Sequence, residues 1–429
     1  MFVFFAAFSR KRYCVESYYQ SVGRDYFMES ITFNNIRRDS SGCSFDVISS
    51  KRASADTLTF KTPFPSRTIS DTALACVMAT IAGQGYREVY ADIPLSKETI
   101  DKLETFTGAK WKVKSVVSEF SLHQALNKIC LLLKKRKNSF LLNFSGGFDS
   151  LAAKALMPDS TNLVSVDFGG WFERETKFFT SFETNILQTN FRQLKYDRES
   201  WTFMGAGALL MAEALHAQYN VFGTILEATQ AHFNPSVVKT DGNGVLPFSI
   251  LGLRDARITN GLTEVCTAMI VTHYYPELVH QSIESLAANG SEKKYRKQIL
   301  TSIICKKYNR NVQVQSFSEP KENQRVSWGT NFALDFLALY ELKNAGISIV
   351  EKTVSDIPKA AIELADRLSL QFYERLNPKF LNDVPGFMRS DYLKKLEAAD
   401  VTVYNSNDWE EFNAVTALLA EYYPAIKNH

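Results

Sequence analysis

The segment Ser139-Phe-Leu-Leu-Asn-Phe-Ser-Gly-Gly-Phe-Asp-Ser150 decides the fold of this chain. Its first part, residues 139–144, is mostly apolar, which is typical of a strand buried on both faces of a parallel sheet. Gly146 and Gly147 permit a tight turn after that strand, and a helix is predicted over 149–157. A strand, a glycine-rich turn and a helix in this order predict an α/β fold.

The same alternation continues beyond this segment, with further apolar strands predicted at 162–168 and 219–225 and helices at 174–188 and 205–218. We therefore expect a parallel sheet that is covered by helices on both faces and binds ligands at the carboxyl ends of its strands. After about residue 310 the pattern becomes mainly helical, with helices predicted at 330–345, 354–374, 389–399 and 408–423.

The N-terminal part of the chain predicts a smaller α/β region without a motif for chemistry. Its strands are expected at 30–33, 44–48, 57–62, 88–94 and 111–114, and its helices at 71–83 and after Ser96. Met28 can serve as a second start site. The predicted organisation is an N-terminal extension (1–27), a small α/β domain (28–120), a nucleotide-binding domain (121–310) and a helical C-terminal region (311–429).

The charge balance argues against a broad phosphate-binding surface. The chain of 429 residues has 49 Lys and Arg against 46 Asp and Glu, a formal charge of +3. A local basic groove stays compatible with that balance. The basic run 134–137 fits the C-terminus of a helix predicted over 121–133, where cations favour the helix dipole, and also fits contact with nucleic acid.

Cysteine spacing and hydropathy predict a cytoplasmic protein. The six cysteines lie far apart and form no C-x-x-C pair, so neither a zinc site nor a disulfide framework is expected. The apolar start, residues 1–8, is too short for a membrane span, and its basic residues follow it rather than precede it. The six histidines show no metal-binding spacing.

The turn after the first apolar strand has the residue types that an anion site needs. The hydroxyls of Ser145 and Ser150 can bond phosphate oxygens, and the N–H groups of Gly146 and Gly147 can form an anion-binding nest. The helix that follows directs its free N–H groups at the same place. Asp149 supplies a hard oxygen ligand for Mg²⁺. No Gly-Lys-Ser/Thr follows, so this is not a Walker loop.

Ser-Gly-Gly-Phe-Asp-Ser at 145–150 resembles the signature of the pyrophosphate-loop ATP pyrophosphatases. The resemblance covers about residues 139–305. It implies a nucleotide-binding α/β domain of the HUP (adenine nucleotide hydrolase-like) type that binds ATP with Mg²⁺, transfers AMP to a substrate oxygen and releases pyrophosphate. It also implies nucleotide contacts from Phe148, Asp167, Phe168 and Gly223.

Within that family the later segments are most similar to 7-cyano-7-deazaguanine synthase, although small residues at these positions also follow from helix–sheet packing. Arg174 and Glu175 follow the second strand as an Arg-Glu pair does in that enzyme, and are substrate candidates. The chain departs from it by lacking the late four-cysteine zinc site and by being longer at both ends. Longer relatives without zinc occur in bacterial antiphage operons, so the resemblance implies a defence role.

Two basic clusters are further candidates for binding pyrophosphate or substrate. Lys293, Lys294, Arg296 and Lys297 can place one or two cations on departing pyrophosphate, with Lys294 and Arg296 favoured, or can form a solvated helix face. Arg254 and Arg257 can meet substrate or phosphate, or pair with a neighbouring acid within the chain.

These observations favour an ATP-dependent adenylating ligase that activates a carboxylate. The resemblance implies that this carboxylate belongs to a 7-deazaguanine acid. Attack by an amine follows, from ammonia or from a protein. Two alternatives stay open at this point. One is a pyrophosphate-loop enzyme that modifies a tRNA base, and the other is a nucleotide-binding subunit without catalytic activity.

Overall fold

A computed structural model describes residues 29–118, 138–234, 245–312, 314, 317 and 319–426. The expected extension 1–27, the expected helix over 121–133 and the basic run 134–137 lie outside these residues. The fold is α/β, built around one large and mostly parallel central sheet with helices on both of its faces.

The central sheet has ten strands in the order β10-β9-β6-β7-β8-β3-β2-β1-β4-β5. All contacts among β6 to β10 are parallel, whereas β1, β2, β3 and β8 form antiparallel contacts with one another. Two short strands, β11 and β12, pair separately. The strands are β1 Ser30–Arg38, β2 Gly42–Ser49, β3 Asp56–Lys61, β4 Glu88–Ser96, β5 Lys110–Val117, β6 Phe140–Asn143, β7 Asn162–Asp167, β8 Thr184–Thr189, β9 Tyr219–Val221, β10 Arg254–Asp255, β11 Val326–Ser327 and β12 Val354–Ser355.

Thirteen α-helices accompany these strands in the described part of the chain. They are α1 Asp71–Ala82, α2 Lys97–Thr107, α3 Phe148–Leu156, α4 Glu173–Phe179, α5 Ala206–Met211, α6 Glu264–Tyr274, α7 Val279–Leu286, α8 Glu292–Lys307, α9 Phe332–Ala345, α10 Ile347–Val350, α11 Lys359–Arg367, α12 Arg389–Ala398 and α13 Ser406–Ala420. Short 3₁₀ turns link many of them. No helix among the described residues is long and apolar enough to cross a membrane.

The two α/β regions of the chain share this sheet. Strand β3 of the N-terminal region pairs with β8 of the loop region, through Phe60 with Thr189 and Lys61 with Gln188. The side chain of Asn190 extends the junction by accepting from the backbone N–H of Thr59 at 2.9 Å. The N-terminal strands therefore extend the loop region's sheet at the β8 edge.

Two apolar cores cover the opposite faces of the sheet. Alternate residues of β6 divide between them: Phe140 and Leu142 join the core of α3, α6 and the C-terminal helices, while Leu141 joins the core of α1, α5 and the N-terminal strands. This alternation follows from the two-residue period of a strand. The C-terminal helices therefore support the face that carries α3.

Most predicted elements of the N-terminal region and the loop region are confirmed, but two predicted helices are wrong. The helix expected over 174–188 ends at Phe179, and Thr184–Thr189 forms β8, because β7 and β3 both offer it pairing partners. The helix expected over 354–374 is interrupted, since Pro358 stands before α11 and Leu370 adopts a left-handed conformation at a φ of 56°.

Candidate functional site

The loop between β6 and α3 depends on two close backbone approaches that only glycine allows. Gly146 has a φ of 78°, and a Cβ there would lie 2.5 Å from the ring of Phe178. Gly223, just after β9, lies against the first turn of α3, where a Cβ would be 2.8 Å from the carbonyl carbon of Asp149. The carboxyl ends of β6 and β9 thus meet directly at the loop.

Hydroxyl groups hold the loop in shape and leave the start of α3 open. Ser150 donates its hydroxyl to the carbonyl of Gly147 at 2.9 Å, and Ser282 of α7 donates to the carbonyl of Gly146 at 2.7 Å. Ser145 makes only long contacts, 3.4 Å to Ser150 Oγ and 3.4 Å to the N–H of Gly147. Gly147 has no side chain to cap α3, so the first-turn N–H groups are available to an anion.

A cavity of about 300 Å³ lies over this loop at the carboxyl ends of β6, β7 and β9. Apolar and aromatic side chains form much of its wall, and charged groups enter from α4, α6 and α8. Its charged and polar lining residues include Asn143, Ser145, Asp149, Ser150, Glu175, Arg192, Glu264, Lys293, Arg296 and Lys297, and its aromatic ones Phe144, Phe148, Phe168, Phe172, Phe179 and Phe222.

The first two turns of α8 direct three cations to the cavity. Lys293, Arg296 and Lys297 stand at positions i, i+3 and i+4, which share one face of a helix, and all three line the cavity. Arg296 and Lys297 are 5% and 4% exposed, so this cluster is not a solvated basic face. Lys294 lies on another face, where it bonds Glu284 and Asn289.

Glu264, the first residue of α6, holds two of these cations. Its carboxylate accepts from Arg296 at 2.8 Å and pairs with Lys297 at 2.7 Å. Burial opposes ionisation of Glu264, but the two cations outweigh it and lower the pKa of the carboxyl. Lys297 also lies 3.9 Å from Asp149 and over the ring of Phe148. One carboxylate therefore fixes the cations beside the loop.

Asp149 lies between this ion pair and the loop. Its Oδ1 accepts from Thr267 of α6 at 3.2 Å. Burial raises the pKa of the Asp149 carboxyl, which Lys297 lowers and Glu264 raises further. Among the described residues no group of three or more His, Cys, Asp or Glu side chains could hold a metal ion by itself.

A second buried acid lies behind Glu264, and no cation among the described residues pairs with it. Glu227 accepts from the backbone N–H of Glu264 at 2.7 Å through Oε1, whereas its buried Oε2 has no hydrogen-bond partner among the described residues. Burial, with Glu264 and Asp149 adding to it, raises the pKa of Glu227 to about 8. Glu227 is therefore protonated at neutral pH, unlike its neighbour.

The structure brings together many of the residues expected from sequence, and it places others elsewhere. Eleven of them line the cavity: Ser145, Gly147, Phe148, Asp149, Ser150, Phe168, Glu175, Gly223, Lys293, Arg296 and Lys297. Six do not, namely Gly146, Asp167, Arg174, Lys294, Arg254 and Arg257.

Gly146 lies within the loop itself and Arg257 pairs with Asp255, whereas the other four residues have contacts or positions elsewhere. Asp167 shapes the turn after β7 by accepting from Gly169 and Thr176, both at 3.0 Å. Arg174 is exposed, and Arg254 contacts Tyr219 at the edge strand. Lys294 cannot accompany Arg296 into the cavity, because two residues along a helix correspond to a rotation of about 200°.

Sequence reasoning missed Glu264 and Arg192. Glu264 is 41 residues beyond Gly223, at the start of a helix with no motif, so only the packing of α6 against α3 reveals it. Arg192 enters the cavity from the turn after β8, the strand that was predicted as helix, with its guanidinium 4.0 Å from the ring centre of Phe172.

No family model, curated protein or solved structure matches the chain.

Proposed function

We propose that the chain is an ATP-dependent ligase that adenylates a substrate carboxylate, releases pyrophosphate and passes the activated acyl group to an amine. The observation that carries the proposal is the convergence of the uncapped α3 N-terminus, Asp149 and the α8 cations on one cavity. The likeness of residues 145–150 to the pyrophosphate-loop signature supports the same assignment.

Different groups in the cavity bind the triphosphate and neutralise its charge. The N–H groups of α3 and the hydroxyl of Ser145 bind phosphate oxygens. Lys293 and Lys297 neutralise the charge that develops as pyrophosphate leaves, and Glu264 keeps Lys297 in position for this step. The carboxylate oxygen of the substrate attacks the α-phosphorus, the bond to the bridging oxygen breaks, and that oxygen leaves with pyrophosphate.

Asp149 fits a magnesium site of the kind that nucleotide enzymes use. Mg²⁺ is commonly held by one or two carboxylates together with substrate phosphates. Asp149 lines the cavity, and burial raises the pKa of its carboxyl, so a nearby dication would favour the ionised form. The ion would supply neutralisation of the phosphate charge.

The far wall of the cavity is suited to the substrate. Arg192 lines this wall beside Phe168 and Phe172, and its Nε pairs with Asp197 at 2.9 Å. A substrate carboxylate would share this guanidinium with Asp197, and the aromatic rings offer apolar contact. A 7-deazaguanine acid as substrate, ammonia or a protein amine as acceptor, and an antiphage role rest on the resemblance alone. Lys294, Arg296 and Lys297 are buried, so these three side chains offer an RNA substrate no exposed phosphate-binding face.

The test is to incubate the protein with ATP·Mg²⁺ and candidate carboxylates and to measure AMP and pyrophosphate. We expect Asp149→Asn to lower pyrophosphate release by at least about 100-fold, since the loss of one charged group at a transition state has effects of that size. Asp159→Asn, an exposed aspartate just after α3, is the matched control and should keep full activity. Release of ADP and phosphate would contradict the mechanism.

A further inference from the structure

A second cavity, of about 260 Å³, adjoins the first and shares Phe222 with it. It lies beside β9 and the edge strand β10, and neither the loop nor α8 contributes to it. Arg257 is the one Lys or Arg side chain in its described lining, and the rings of Trp201, Phe222 and His232 form the aromatic part. The hydrogen bonds around these groups decide which of them stay available to a ligand.

Asp255 lines the same cavity, but its carboxylate is occupied by the protein. Its Oδ2 accepts from the backbone N–H of Val245 at 2.9 Å and from Nη2 of Arg257 at 3.3 Å. Burial raises the pKa of the Asp255 carboxyl, whereas the N–H of Val245, Arg257 and a hydrogen bond from the amide of Asn220 lower it. Asp255 therefore holds Arg257 in place and does not form a site for a cationic ligand.

The guanidinium of Arg257 keeps most of its donors. Arginine has five N–H groups, and the bond to Asp255 is the only side-chain hydrogen bond that Arg257 makes among the described residues. The side chain of Arg257 is 29% exposed, against 10% for Asp255, so the cation is the accessible member of the pair. The backbone N–H of Arg257 donates to the carbonyl of Asp383 at 3.3 Å, which anchors the residue to the C-terminal region. An accessible and oriented guanidinium with unused N–H groups is suited to a planar anion.

Two further polar groups of the lining add a donor and no charge. Thr229 accepts from the backbone N–H of Ala231 at 3.2 Å, so its own hydroxyl proton has no acceptor among the described residues. Nδ1 of His232 lies 2.9 Å from the carbonyl of Leu226, and a carbonyl can only accept, so this nitrogen carries the ring proton. Burial lowers the pKa of His232, so the ring is neutral at neutral pH. Because the described lining has one cation, which a carboxylate already shares, a monoanion fits it better than a dianion such as phosphate.

We propose that this cavity binds an aromatic carboxylate, whose carboxylate oxygens accept N–H bonds from Arg257 and whose ring packs against Trp201 and Phe222. The rings of Trp201 and Phe222 lie 5.4 Å apart and are inclined by 71°, and aromatic faces and edges of this kind pack well against a further ring. Binding at this cavity requires neither ATP nor turnover at the loop. The proposal therefore goes beyond the ligase activity, and its test is independent of that activity.

The test uses benzoate as the probe, with benzamide as its neutral isostere and inorganic phosphate as a tetrahedral anion. In crystals of the full chain soaked with benzoate, we expect the probe in the second cavity with its carboxylate on Arg257. In solution, ligand-observed NMR should show at least about tenfold tighter binding of benzoate than of benzamide, since hydrogen bonds between charged groups are the stronger ones. Phosphate should not displace benzoate from this cavity.

Arg257→Gln should abolish the preference for benzoate over benzamide, because it removes the charge and the paired N–H groups. Arg257→Lys keeps the charge without the planar fork and should bind benzoate with intermediate affinity. Arg254→Gln, at an exposed arginine of β10 outside the lining, is the matched control and should bind benzoate as the wild type does. Absence of benzoate from the second cavity, equal binding of benzoate and benzamide, or unchanged benzoate affinity in either Arg257 variant would each overturn the proposal. Binding at crystal concentration only would also overturn it.

Discussion

The two halves of the central sheet differ in the buried charges that are packed beside them. In the N-terminal half, Phe33, Phe45 and Phe60 pack ring against ring between strands, with centroids 5.7 and 5.4 Å apart. In the loop half, Glu264 and Lys297 form an ion pair with side chains 4% and 6% exposed. The same α/β layering therefore supports apolar cores in both halves and, beside the loop half, a buried charged network as well.

The apolar packing contributes mainly to the stability of the fold, whereas the buried charges indicate a function. Apolar packing stabilises a domain without specifying a ligand, whereas a buried ion pair gives little net stability, because the desolvation of both charges offsets their attraction. A fold that buries such a pair beside an open helix N-terminus and a cavity has the arrangement expected of a functional site. Substitutions in the two halves should therefore have different consequences.

The largest loss in the free energy of unfolding is expected for Glu264→Gln. The variant leaves Lys297 and one side of Arg296 without their countercharge in the interior, and removal of one partner from a buried pair costs about 3–5 kcal/mol. Urea unfolding at neutral pH measures this loss in the free energy of unfolding. The proposed binding of nucleotide should also weaken, since Lys297 loses the group that positions it.

A double variant distinguishes lost pairing from a local packing defect. Adding Lys297→Met to Glu264→Gln removes the stranded cation, so the double variant should be more stable than Glu264→Gln alone. If the two substitutions are additive, or if Glu264→Gln costs less than about 1 kcal/mol, the charged network does not govern this half of the sheet.

Glu227→Gln should raise the free energy of unfolding, whereas Glu264→Gln lowers it. Glu227 has a folded-state pKa of about 8 against an ordinary value of 4.5, so the folded state holds a proton that the unfolded state releases. The stability of the wild type is then lost as pH rises between these values, by up to about 1.4 kcal/mol per pH unit. Glutamine is neutral in both states and presents the same unpaired donor.

The comparison is made by urea unfolding of both proteins at a series of pH values. Glu227→Gln should match the wild type near pH 4.5 and become the more stable of the two as pH approaches 8. Glu341 has a pKa raised by burial to about 8 as well, so part of the slope should persist in the variant. A constant difference across the pH range would show that Glu227 is ionised in the folded state.

Local pattern predicts the N-terminal half and the loop well, but not the charged network. Alternating residues predict β1 to β3, and α1 begins at Asp71 as predicted and ends at Ala82, one residue before the predicted end. The apolar residues within 178–187 recur at helical spacing. Thr184–Thr189 nevertheless forms a strand, because it pairs with β7 on one side and with β3 on the other. Glu264 has no local signal, because its role arises from two cations on another helix.

The smallest effect, and the one that tests the apolar half, is expected for Phe45→Leu. Phe45 is fully buried between the rings of Phe33 and Phe60, so the smaller side chain loses ring contacts and leaves a small cavity, at a cost of about 1–2 kcal/mol. Urea unfolding should show this loss, equal at pH 5 and pH 8 because no titrating group is involved. Nucleotide affinity, measured by calorimetry on the folded protein, should be unchanged. A weaker affinity would show that strain passes from β2 through β3 and its contact with β8 into the loop half, and that the two halves are not energetically separate.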